Sequence, residues 1–109
     1  MKKLAILMAA VTTLTLSACN KSTPTTQSVN QDEALKNALN LFNQKKTEGV
    51  DFSNGPCLGQ VAPDWVLDIA HNPRQPADDK VENQCKDFKE GRAHHFIELD
   101  PNGNIIKIN

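Results

Sequence analysis

Three histidines, His71, His94 and His95, share a chain of 109 residues with acidic side chains at Asp64, Asp68 and Glu98. Imidazole beside carboxylate offers two chemistries: a ligand set for a divalent metal, or an acid–base pair for hydrolysis. The spacing favours neither. There is no His-Glu-x-x-His helix and no finger-like pairing. Neighbouring residues of a strand point to opposite faces, so only one of His94 and His95 can share a site with His71. The reading is therefore no metal and no cofactor. A small metal-dependent or His-based hydrolase built on His71 and His95 is the alternative. Asp100-Pro101-Asn102-Gly103-Asn104 places oxygen atoms at alternate positions, as a calcium loop does. Ile105 stands where such a loop needs glycine, however, and no glutamate follows, so the segment reads as a hairpin turn. The string His71-Asn72-Pro73-Arg74-Gln75-Pro76 sets an arginine between prolines on a stiff loop. Arg74, with His71 and Gln75 beside it, either binds a partner's carboxylate or backbone, or pairs with Asp78 or Asp79 to fix the turn.

The beginning of the chain supplies an address. Lys2 and Lys3 precede an apolar stretch from Leu4 to Leu16, diluted by three threonines, and the small residues Ser17 and Ala18 follow. A positive start, a short apolar core and a small-residue cleavage site define an export signal over residues 1–18. The apolar run is shorter than the roughly 20 residues a membrane span needs. Leu16-Ser17-Ala18-Cys19 resembles the lipobox of bacterial lipoproteins. The resemblance implies diacylglycerol on the Cys19 sulfur, cleavage before that residue and a further acyl chain on the new amino terminus. Two or more acyl chains anchor a protein stably where one holds it only marginally. Asn20, rather than aspartate, after the cysteine implies the outer membrane, with the domain facing the periplasm. Loss of Lys2 and Lys3 with the leader takes the formal charge from −1 to −3. That balance, with no basic patch, excludes nucleic acid as a partner.

With Cys19 committed to lipid, Cys57 and Cys85 remain. An even pair in a small exported domain is most simply a disulfide. Closing about 28 residues stabilises the fold by roughly 3–4 kcal/mol in the loop-entropy model. The absence of Cys-x-x-Cys argues against a redox-active pair.

These residues need a scaffold. Residues 19–31 are polar and carry one proline, which reads as a flexible tether after the lipidated cysteine. From Asp32 to Glu48 the apolar positions Leu35, Ala38, Leu39 and Phe42 recur at helical spacing, widened by Ala34 and Leu41. Asn30 with Glu33 suits a capping box, and Gly49 suits the position after the helix. Gly55, Pro56, Gly59 and Pro63 predict an irregular loop carrying Cys57. Asp64–His71 alternates as a strand, with Trp65 in the core; a short helix starting at Pro63 is the rival. Val81, Cys85 and Phe88 suggest a second short helix over Asp79–Glu90. His94–Leu99 and Asn104–Ile108 form a terminal hairpin, with Leu99 opposite Ile105 and Glu98 opposite Ile106. One face then carries His95, Ile97, Leu99 and Ile105, the other Phe96, Ile106 and Ile108.

The expected fold over residues 32–109 is α+β: an amphipathic helix and a short helix on a small antiparallel sheet, stapled by one disulfide. The mature part resembles small bacterial envelope domains, and no characterised family's functional residues fall on it. The expected role is an interaction or structural module of the envelope. It would bind a protein or envelope component through the 71–80 loop and the adjacent sheet edge.

Overall fold

The helix at the amino-terminal side, α1, spans Thr26–Thr47. It belongs to a computed structural model that describes residues 26–109, with side chains from residue 31 onward. The leader, Cys19 and residues 20–25 of the expected tether lie outside the described residues. α1 starts six residues before Asp32, so Asn30 lies inside the helix and not at the expected capping position. Residues 26–31 contain no proline or glycine, and a helix already held by packing extends cheaply into such a segment. Gly49 and Val50 close the other end, donating backbone hydrogen bonds to Lys46 and Lys45.

The buried line of α1 is Ala34, Ala38 and Phe42, while Leu39 is 37% exposed. The apolar stripe is therefore turned slightly from the one its leucines suggest. Two alanines at i and i+4 let the helix backbone approach the sheet closely, and Phe42 fills the space beyond them, its ring 4.9 Å from that of Phe52. Among the described residues, no helix is long and apolar enough to cross a membrane.

Four strands follow: β1 (Cys57–Ala62), β2 (Trp65–Ile69), β3 (His95–Leu99) and β4 (Ile105–Ile108), lying side by side in that order. β1 occupies the segment expected to be loop. Its turn-forming residues are absorbed by irregularities between Cys57 and Gly59 and between Gln60 and Ala62. Asn37 of α1 also donates to the Val61 carbonyl at 2.9 Å and ties this strand to the helix. A two-residue turn, Pro63-Asp64, returns the chain into β2, with Asp64 at φ 71°. β1–β2 and β3–β4 are antiparallel, but β2 and β3 run parallel, so the sheet is mixed. Parallel neighbours need a long connection. Residues 70–94 supply it.

That connection does not form the continuous helix expected over Asp79–Glu90. It folds as two single-turn 3-10 segments, Pro76–Asp79 and Val81–Asn83, and a short helix, α2 (Lys86–Lys89). The Asn72–Pro73 bond is cis. The Cys57–Cys85 disulfide joins the connection to β1, with Cα atoms 5.0 Å apart.

The hairpin turns at Asp100–Asn104, as the sequence suggests: the Asp100 N–H donates to the Asn104 carbonyl, and the Asp100 carboxylate takes the amides of Asn102 and Asn104. Leu99 opposes Ile105, but an irregularity then places Glu98 opposite Lys107 instead of Ile106. One extra residue in a strand reverses every side chain beyond it. Ile108 thus joins Ile97 on the helix-facing side, and Ile105 is left 50% exposed.

Trp65, Leu67, Ile69, Ile97 and Leu99 pack beneath α1 as the main core. The opposite sheet face carries a smaller cluster, Val66, Cys85 and Ala93, with Cys57 and Phe96 against it. The helix covers one face and the disulfide-bonded connection the other.

Candidate functional site

On the connection side, strand register sets four residues in one row across the sheet: Cys57, Asp68, Glu98 and Lys107. Two carboxylates therefore lie on adjacent strands, an arrangement that repels when both are charged. Asp68 is the more deeply placed, and its Oδ1 is buried without a hydrogen-bond partner. Burial first, and the neighbouring Glu98 second, push its pKa up to about 7; Arg74 pulls against them and Asp78 adds to the rise. A carboxyl group in that range exchanges protons near neutrality, as groups at functional sites often do.

Above the row opens a cleft of about 450 Å³, within the range of small-ligand sites. Val66, Phe88, Phe96 and the Cys85 end of the disulfide give it apolar walls. The Phe88 and Phe96 rings meet edge to face at 4.9 Å. Arg74, Lys89 and Lys107 stand around its exposed margin. Lys107 lies over the Phe96 ring, 5.6 Å from its centre. The site thus combines a protonatable acid in the depth, aromatic walls and a cationic rim.

Asp78 is the counterpart of Asp68 in everything but company. It is 3% exposed, and its carboxylate takes hydrogen bonds from the His71 amide (3.0 Å) and the Gln75 amide (2.9 Å). The His71 ring sits 2.9 Å away through Nδ1. Burial opposes its charge, but these hydrogen bonds prevail and hold its pKa below the ordinary value. Gly55 is required beside it. A Cβ there would fall 2.3 Å from the Asp78 Oδ1, and φ is +65°.

The structure distributes the sequence candidates among separate places. His71 and Gln75 belong to the Asp78 knot. Arg74 takes the turn-fixing role considered for it. It fixes the turn, with Nε 2.8 Å from Asp79 Oδ1 and a second donor on the Asp78 carbonyl, and it also borders the cleft 3.9 Å from Glu98. His94 and His95 gather around Asp64, at 2.6 and 3.7 Å, where the β1–β2 turn meets the start of β3. His95 stacks on Trp65 with ring centres 4.6 Å apart.

His71 and His95 consequently do not form the shared site of the hydrolase alternative. Trp65 pairs with His95 in the parallel register, and His71 lies six residues further along. At about 3.3 Å per residue that is a separation on the order of 20 Å along the strand. His71 has Asp78, and His95 shares Asp64 with His94. Among the described residues, the one His/Cys/Asp/Glu group close enough to share an ion is Cys57, Asp68 and Cys85, whose sulfurs are bonded to each other.

Asp68 entered the sequence reading only as a possible neighbour of the histidines. The signal that would have found the site is an acidic residue at an interior position of an otherwise apolar strand, Trp65-Val66-Leu67-Asp68-Ile69. No family of known proteins matches the chain, and no curated protein or solved structure does either.

Proposed function

We propose that the chain is an outer-membrane lipoprotein, anchored through Cys19, whose domain is an interaction module that binds a protein partner of the envelope in the cleft on the disulfide face. One observation carries this reading: the buried, unpartnered Oδ1 of Asp68 in a cleft with aromatic walls. An unsatisfied polar atom costs about 1–3 kcal/mol, and a partner's donor entering the cleft would remove that cost. Arg74, Lys89 and Lys107 at the margin suit acidic groups flanking the inserted side chain. The 71–80 loop contributes through Arg74, while His71 and Gln75 hold the loop's shape. The lipobox supports the location, as the resemblance implies.

Photo-crosslinking in intact cells tests both halves. A crosslinker at Lys89 should trap one defined envelope protein, and Arg74→Glu should abolish the product. The same group at Asn40, exposed on α1, should trap none. Equal labelling from both positions, or none from Lys89, would overturn the binding reading. Mass spectrometry of the native protein should give residues 19–109 with acyl chains on Cys19; a retained leader would remove the anchor.

A further inference from the structure

The disulfide and the orphaned carboxyl lie together, and nothing in a purely structural staple calls for that. A carboxylate oxygen of Asp68 and the sulfurs of Cys57 and Cys85 are all within 4.8 Å of one another. The carbonyl oxygen of Leu67 lies 3.6 Å from the Cys57 sulfur and 3.5 Å from the Cys85 sulfur. Two oxygen acceptors thus face a sulfur pair that, in the disulfide, has no hydrogen to donate. In the dithiol, the Leu67 oxygen is placed to accept from either S–H, with the Asp68 carboxyl within 4.8 Å of both sulfurs. These oxygens disfavour a thiolate at the buried Cys85, so that sulfur must be protonated as it leaves. Access is unequal as well: Cys57 is half-buried on the edge strand, whereas Cys85 is 7% exposed and forms part of the cleft wall.

We propose that Cys57–Cys85 is an exchange-active disulfide and that Asp68 is its proton donor and acceptor. A dithiol, on an exported protein or a small molecule, approaches the edge strand β1 as the reductant. Its thiolate attacks the Cys57 sulfur and forms a mixed disulfide. The Cys57–Cys85 bond breaks, and the Cys85 sulfur takes its electron pair and the proton of the Asp68 carboxylic acid. The second thiolate of the dithiol then attacks its own sulfur in the mixed disulfide and releases Cys57 as thiolate, which takes a proton from solvent. The protein disulfide is reduced by two electrons and the dithiol is oxidised to a disulfide. In the reverse direction the Asp68 carboxylate accepts the Cys85 proton. Glu98 from β3 and Arg74 and Asp78 from the connection act on this carboxyl, while Lys107 of β4 and Lys89 of α2 line the same cleft.

The test is the rate at which dithiothreitol reduces the full lipidated chain in detergent, across pH and corrected for the fraction of reagent present as thiolate. The corrected rate constant should fall about tenfold between pH 6 and pH 8, as a carboxylic acid with a midpoint near neutrality loses its proton. Asp68→Asn should be slower at pH 6 and flat across the range. Glu98→Gln, which removes the like charge, should keep the fall and move its midpoint to lower pH. That variant and the wild type carry the test should Asp68→Asn not fold. A corrected profile without a step in the wild type would overturn the proposal. So would identical profiles for wild type and Asp68→Asn, or reduction only at the rate of global unfolding.

Discussion

Two aspartates ten residues apart meet opposite treatment in this domain. Asp78 is enclosed by donors: two backbone amides and an imidazole converge on it, and its charge is held below the ordinary carboxylate pKa. Asp68 has two sulfurs within 4.8 Å and Glu98 alongside, and its pKa is raised by burial and by that second carboxylate. Burial alone therefore does not distinguish a structural acid from a functional one. The neighbours do. A carboxylate with donors on both oxygens defines a turn; one left with an unpaired oxygen beside a cleft has capacity for a ligand or a proton.

The contrast breaks most visibly at Asp78. Asp78→Ala leaves the His71 and Gln75 amides without their acceptor and should cost about 2–5 kcal/mol. For a domain of this size that lowers the melting temperature by at least about 10 °C. Thermal unfolding followed by circular dichroism measures it. A shift of only a degree or two would show that the knot is not structural.

The sequence displayed the elements with strong local signals and hid those made by long-range pairing. The α1 periodicity, the alternation of Trp65, Leu67 and Ile69, and the Asp100–Gly103 turn each follow from neighbours in the chain. Cys57 and Cys85 were legible as a pair because no other partner was left for either. β1 was not, because Gly59 and Pro63 read as breakers until a second strand and Asn37 satisfy its backbone. Nor was the parallel pairing of β2 with β3, which depends on how residues 70–94 cross over. The Asp68–Glu98–Lys107 row was lost for a smaller reason: one displaced residue between Glu98 and Leu99 exchanges Ile106 for Lys107 opposite the acid. Arg74 was open between two roles in the sequence, and its contacts with Asp79 and the Asp78 carbonyl show the turn-fixing one.

A pH titration of stability sharpens the comparison, because the two acids act with opposite sign. Asp78 has a lowered folded pKa, so its contribution is present above the unfolded value near 4 and is lost as pH falls through the folded one. Asp68 has a raised folded pKa. The folded domain keeps a proton that the unfolded chain releases, so this contribution is full below about pH 4 and is lost as pH rises to about 7, by up to roughly 4 kcal/mol. Urea unfolding should accordingly show stability falling between about pH 4 and pH 7. Asp68→Asn should flatten that slope and be more stable than the wild type at pH 8, by about 1–2 kcal/mol once the cost of the buried amide is set against the relief. Parallel curves for the two proteins would mean that Asp68 is ionised throughout, and its distinction from Asp78 would disappear.

The smallest effect on stability belongs to Arg74, and it separates the residue's two roles. Its ion pair with Asp79 is formed by side chains 48% and 66% exposed, and pairs of that kind contribute at most about 1 kcal/mol. Its charge, however, is the cation that opposes the rise of the Asp68 pKa. Arg74→Ala should leave the melting temperature within a few degrees of the wild type while moving the Asp68 midpoint to higher pH, read by NMR titration of the side-chain carboxyl carbon. Asp79→Ala is the matching control: it breaks the same ion pair, keeps the guanidinium and should leave that midpoint nearly unchanged. If both variants moved the midpoint equally, Arg74 would act through the shape of the loop rather than through its charge. The acid in the cleft would then be tuned by burial and Glu98 without it.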